Sequence, residues 1–75
     1  MGRPYAPVRA PMVGTFAAQH VENGARVAEG DVVGETESMK MLTQLTAPIA
    51  GEVEFVVSLG ETVGEGDIIA KIYPA

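Results

Sequence analysis

Cysteine is absent from this 75-residue chain, which removes both a disulfide framework and any thiolate metal site. Histidine occurs once, as His20, too few for a histidine-rich centre, so no metal is expected. Basic residues are scarce: Arg3, Arg9, Arg26, Lys40 and Lys71 are scattered through a chain of net charge −5. Nucleic-acid binding needs clustered lysine and arginine against phosphates, so no nucleic-acid partner is expected. The acidic excess instead favours solubility. No apolar run approaches the length that spans a bilayer, so no membrane partner is expected either. The start of the chain, Met1-Gly2-Arg3-Pro4-Tyr5, lacks the apolar stretch of a secretory signal, which sets the expectation of a cytoplasmic protein. Length adds a further exclusion. A domain this small buries only about 60% of its unfolded surface and cannot wall off a substrate pocket. A self-contained enzyme with its own catalytic residues is therefore disfavoured against a scaffold that presents one group.

What is present is a repeat. Ala10-Pro11-Met12-Val13-Gly14 recurs as Ala47-Pro48-Ile49-Ala50-Gly51 at an offset of 37. Gly24-Ala25-Arg26-Val27-Ala28-Glu29-Gly30-Asp31 recurs as Gly60-Glu61-Thr62-Val63-Gly64-Glu65-Gly66-Asp67 at an offset of 36, and Val32-Val33 then matches Ile68-Ile69. Two copies are too few for a solenoid; they indicate two interlocked halves related by a pseudo-two-fold axis. The local pattern is β. Charged and apolar residues alternate along Glu52-Val53-Glu54-Phe55, as in a half-buried strand. Residues 15–21 occupy the same place in the first half, and 31–37 and 67–72 are the later pair of strands. Nine glycines and five prolines punctuate short segments and disfavour helices. The expected fold is all-β: a small flattened barrel or sandwich, a barrel-sandwich hybrid, of about eight short strands. Residues 1–7 are expected to be a flexible lead and 8–75 the domain.

Between the two repeats lies Glu37-Ser38-Met39-Lys40-Met41, read as the tip of a β-hairpin. Hairpin tips favour Asn-Gly or Asp-Gly, not a lysine between two methionines. A local rule broken without benefit to folding points to function. By symmetry the hairpin lies at one pole and the chain ends at the other, a layout that suits a carrier tethered at one end and reactive at the other. Lysine places a primary amine on a flexible four-carbon stem. Such an amine free in water titrates near about 10.4 and is almost wholly protonated at pH 7, so acylation requires an enzyme that deprotonates it and supplies an activated acid. Methionines beside it offer soft, adaptable contact to that enzyme.

At this point the chain resembles the biotin carboxyl carrier and biotinyl-attachment domain family. Glu37-Ser38-Met39-Lys40-Met41 is similar to that family's attachment motif, Ala10-Pro11-Met12-Val13-Gly14-Thr15-Phe16 to its opening strand, and Pro48-Ile49-Ala50-Gly51 and Gly60 to Asp67 to its second half. The resemblance runs from Val8 to Tyr73. It implies a non-catalytic carrier in which biotin is joined by an amide to Lys40, with Glu37, Ser38, Met39 and Met41 recognised by a biotin protein ligase. It also implies two further partners: a biotin carboxylase that loads carboxybiotin, and a carboxyltransferase that unloads it. The protein would then position a cofactor that carries the chemistry. Some bacterial members insert a protruding thumb after the segment like Gly14-Thr15-Phe16. Here only Ala17 to Glu22 separates Phe16 from Asn23-Gly24, so the chain resembles thumbless members.

Alternative readings are a lipoyl-type carrier and an unmodified structural adaptor of lipoyl-like fold. Lipoyl domains place Asp before the lysine and a small residue after it, whereas Met39 and Met41 stand here. Met39 and Met41 are recognition residues or partly packed ones. Ser38 is expected to shape the turn through its hydroxyl. Glu35 and Glu37 decorate a strand or repel a wrong partner. Glu29-Gly30-Asp31 and Glu65-Gly66-Asp67 read as turn chemistry instead of a cation site. His20 has no obvious serine or carboxylate relay in sequence and reads as a structural or surface histidine instead of a catalytic one. Lys71 aligns with Glu35 and reads as a solvated strand residue.

Overall fold

The computed structural model describes residues 2–75. Eight strands and no helix are present among them: β1 (Ala6–Arg9), β2 (Gly14–Gln19), β3 (Arg26–Val27), β4 (Val32–Ser38), β5 (Met41–Thr46), β6 (Gly51–Phe55), β7 (Thr62–Val63) and β8 (Ile68–Pro74). They form two four-stranded sheets, ordered β1-β8-β6-β3 and β5-β4-β2-β7, with every neighbouring pair antiparallel. The repeat maps β1 to β4 onto β5 to β8. Each sheet therefore takes two strands from each half, with β2–β4 and β6–β8 as the pairs formed within a half.

Registers repeat with the sequence. Thr36 pairs with Thr43 as Ile72 pairs with Ala6, and Thr15 faces Thr62 as Glu52 faces Arg26. The ladders β4–β5 and β1–β8 each shift at the matching place, passing over Val33 in one and Ile69 in the other. Both skipped residues are fully buried, so the bulge turns an extra side chain into the core. Phe16, Val33, Val53, Ile69 and Ile72 form its centre, each contributing about 1.5–3 kcal/mol by burial.

One core position breaks the symmetry. Phe16 stands where the second half has Val53, and Gly34 stands where it has Ala70. A Cβ on Gly34 would lie 2.7 Å from the Ala18 carbonyl oxygen and 2.9 Å from the Phe16 ring, so the backbone of β2 and the larger ring both exclude the methyl.

The acidic turns are structural. Asp31 Oδ2 accepts from the Ala28 amide at 2.8 Å, and Asp67 Oδ2 from the Gly64 amide at 2.7 Å. In the same turns the Gly30 amide donates to the Ala47 carbonyl and the Gly66 amide to the Ala10 carbonyl. The repeated alanines, both buried, return these bonds to the Asp31 and Asp67 carbonyls. The turn of one half is thus stitched to the Ala-Pro corner of the other.

Order begins earlier than the expected boundary at Val8. β1 starts at Ala6, and the residues before it rest on β8. The Arg3 guanidinium lies 4.4 Å from the Tyr73 ring centre, and Tyr5 packs edge-on against Tyr73 at 5.9 Å. The expected lead of residues 1–7 is therefore shortened by aromatic contacts that the sequence pattern does not display; Met1 lies outside the described residues. Between β2 and β3 only residues 20–25 intervene.

Candidate functional site

The hairpin β4–β5 closes on two residues, Met39 and Lys40, between the paired Ser38 and Met41. Both have positive φ, 51° and 66°, as the type I′ turn requires. They are the only non-glycine residues so placed among the described residues; the other positive φ values belong to Gly24, Gly30, Gly60 and Gly66. Left-handed backbone costs a side-chain-bearing residue about 1–2 kcal/mol. The hairpin ladder on either side favours it, because a two-residue connection matches the twist of the strands in the primed turn types.

The conformation lifts its side chains off the protein. Met39 is 93% exposed and Met41 73%, so neither is a packed hairpin residue. Lys40 is exposed, and no hydrogen bond or ion pair to it is found among the described residues. Neither of two shallow surface grooves is lined by it, one near Asn23 and Tyr73 and the other between β1 and β5. A group attached here would be held by its covalent bond, not by a cavity.

The flanking residues divide. Glu37 is exposed and lies between Thr15 on β2 and Leu42 on β5. Ser38 contributes differently from expectation: its hydroxyl makes no hydrogen bond among those described, and the backbone pair with Met41 shapes the turn. Ser38 instead forms a wall. A Cβ on Gly14 would overlap the Glu37 carbonyl and approach the Ser38 Cβ to 3.3 Å. Gly14 thereby lets the loop 11–13 sit against the base of the hairpin, and it places Met12 (48% exposed) and Val13 (64% exposed) beside the lysine turn. Leu42, 60% exposed, completes an apolar surround. Sequence reasoning missed these three; the signal was an apolar Met12-Val13 pair followed by the repeated glycine.

Three other residues have partners that the sequence does not display. His20 does have a carboxylate partner: its Nε2 lies 2.6 Å from Glu35 Oε2. Glu35 is therefore engaged in that pair and does not merely decorate β4. Lys71 is not simply solvated, since its Nζ lies 4.8 Å from the centre of the Tyr5 ring. The site offers one free primary amine on a rigid, apolar-rimmed turn, and the chemistry it suits is acylation by an external enzyme.

Known proteins share this pattern. The family described as biotin-requiring enzyme matches residues 6–72. The human mitochondrial propionyl-CoA carboxylase alpha chain is 41% identical over 66 residues, which cover 87% of this chain and 9% of that one. A biotinylated protein, the TB7.3 homolog of Mycobacterium leprae, is 41% identical over 66 residues, covering 87% of this chain and 93% of that one. The Kluyveromyces lactis urea carboxylase superposes with a TM-score of 0.87 at 26% identity, over 96% of this chain and 6% of that one. The chain thus spans about a tenth of the large carboxylase relative's length.

Proposed function

Since this chain belongs to the biotin-requiring enzyme family, as a biotin carboxyl carrier domain and not a catalyst, we propose that Lys40 is the residue that bears its biotin. The observation that supports this reading is the turn itself. Lys40 holds an unpartnered amine at the tip of a two-residue hairpin, inside the span that matches the family. The residues fit the group: an exposed amine is what an amide to a valerate side chain needs, and no pocket is required to hold it. When bound, biotin supplies a ureido nitrogen that takes up and releases a carboxyl group. The chain supplies reach and placement. Its hairpin is paired at the base, with β2 and β5 on either side of β4, and the lysine stem adds reach. A tether of that kind raises the local concentration of the reactive group at each partner site.

The partners in this reading are a biotin protein ligase, which acylates Lys40 after recognising Glu37, Ser38, Met39 and Met41, then a biotin carboxylase and a carboxyltransferase. The acceptor of the carboxyl group is a property of the last partner.

The experiment is intact-mass and peptide-mapping analysis after coexpression with a biotin protein ligase and free biotin. One biotin is expected on Lys40, lost in Lys40→Arg and kept in Lys71→Arg. An unmodified chain, under conditions that load a control domain, would overturn the assignment and direct the search to lipoyl attachment.

A further inference from the structure

Sulfur in this chain is gathered at one place. Cysteine is absent, and the four methionines are Met1, Met12, Met39 and Met41. Met1 lies outside the described residues. The other three stand around the lysine turn, with Met39 and Met41 flanking Lys40. Met39 is 93% exposed, Met41 73% and Met12 48%. The left-handed backbone at Met39, φ 51°, holds its thioether off the protein, open to small solutes. None of the three belongs to the core or to the partly buried residues packed against it, which are valine, leucine, isoleucine, alanine and phenylalanine alone. The interior of the described residues thus holds no oxidisable sulfur, and the most exposed sulfur stands beside the reactive amine.

Resting on the assignment of Lys40, we propose that Met39 and Met41 are a reversible oxidation site, and that their oxidation by a peroxide blocks acylation of Lys40 while leaving the fold intact. The thioether sulfur attacks one oxygen of hydrogen peroxide. An S–O bond forms, the O–O bond breaks, and the second oxygen leaves as water. Sulfur is oxidised by two electrons and the peroxide reduced by two. The reverse step uses the dithiol of a methionine sulfoxide reductase: the sulfoxide oxygen leaves as water and the dithiol becomes a disulfide. This chain has no cysteine, so resetting falls to that enzyme. Two features make the reaction a gate instead of general damage. A polar, chiral sulfoxide replaces a soft apolar thioether on each side of the amine. An acylating enzyme that closes over the turn must then cover a polar group for which it has no partner, which weakens the complex. The packing of the domain is untouched, because no core residue is a methionine. Leucine at either position would offer apolar contact without this sensitivity.

The test treats the unacylated chain with hydrogen peroxide, removes the peroxide, and then measures biotin incorporation by a biotin protein ligase with biotin and ATP. Treatment before acylation spares the thioether of biotin itself. Trypsin cuts after Arg9, Arg26 and Lys40, so Met12, Met39 and Met41 fall in separate peptides whose oxidation is read by mass. Sulfoxide is expected first at Met39 and last at Met12, in the order of their exposure. With Met39 and Met41 oxidised, kcat/KM for the carrier should fall about tenfold, and methionine sulfoxide reductases A and B together should restore it. The thermal midpoint should move by less than about 2 °C. In the variant Met39→Leu, Met41→Leu, treated and untreated samples should give the same rate, whereas Met12→Leu should keep the parent's sensitivity. Met39 and Met41 that resist peroxide while Met12 oxidises would overturn the site. An unchanged rate in the oxidised parent, an equal fall in the double leucine variant, or no recovery after reduction would overturn the gate. A parent chain that takes no biotin at Lys40 before any treatment would overturn the assignment of the lysine, and the gate with it.

Discussion

The lysine turn and the chain ends occupy equivalent places in the two halves, yet they are finished in opposite ways. Two points exchanged by a two-fold axis lie on opposite sides of it, and the pairings of Ser38 with Met41 and of Ile72 with Ala6 mark these two ends. At the chain ends, Tyr5, Tyr73, Arg3 and Lys71 stack on one another. The Tyr73 hydroxyl donates to Glu54 at 2.9 Å, and Arg3 reaches Glu52 at 4.0 Å. At the lysine turn the apolar groups are left bare and the amine unpaired. The same backbone thus supports an end closed on itself and an end kept open for other proteins. Side-chain choice at a handful of repeat-related positions, not a change of fold, separates anchorage from presentation.

The sharpest way to break the comparison is in the core. Phe16→Ala is expected to cost about 3–5 kcal/mol in urea unfolding, a large part of the stability of a domain this small. Phe16→Val, which copies Val53 of the other half, leaves a smaller cavity and should be the milder of the two. Next come the two close-packed glycines. A Cβ on Gly14 would meet the Glu37 carbonyl, and a Cβ on Gly51 the Tyr73 carbonyl. Alanine at either position should cost about 1–3 kcal/mol through overpacking. Only Gly14→Ala should also slow biotin incorporation, because only it displaces the hairpin base; equal incorporation rates in the two variants would dissolve the distinction between the ends. The smallest effect concerns Tyr73, whose phenol is held above its ordinary value of 10.0 by the hydrogen bond to Glu54 first, with desolvation and the Glu54 charge adding. A raised folded value means that the folded chain holds this proton more tightly. The stability it contributes is complete below the unfolded value and is lost as the pH climbs through the raised folded one. Glu54→Gln should move the phenolate absorbance titration back toward 10.0.

Much of this was legible in the sequence because the repeat is itself a structural statement. Matching Gly24 to Gly60 and Asp31 to Asp67 anticipated turns whose backbone bonds do match. The alternation at Glu52-Val53-Glu54-Phe55 gave β6. Lys40 stood out because a tip sequence contradicted turn preference. What escaped depended on register or on distant partners. The ladder of β2 with β4 shifts between Phe16 and Ala18, whereas that of β6 with β8 runs through without a break. The drop in repeat offset from 37 to 36 marks the extra residue, but not the contact it creates: on the shifted ladder His20 meets Glu35. Arg3 and Tyr5 were read as a loose lead because their partner, Tyr73, lies at the far end of the chain. Met12 and Val13 lie in the stretch that resembles an opening strand, and only the close approach of Gly14 to the Glu37 carbonyl places their loop against the hairpin.

The position of β8 also governs when the domain can exist. It is the last strand in the chain, yet it lies between β1 and β6 in its sheet. Ala6 finds its partner only in Ile72, and neither it nor the edge of β6 is covered until the residues of β8 have left the ribosome. Pairings between such distant residues form slowly, after the entropy of closing a long loop has been met. A nascent chain that already displays Lys40 is therefore still half a sandwich, its first and sixth strands waiting for the eighth.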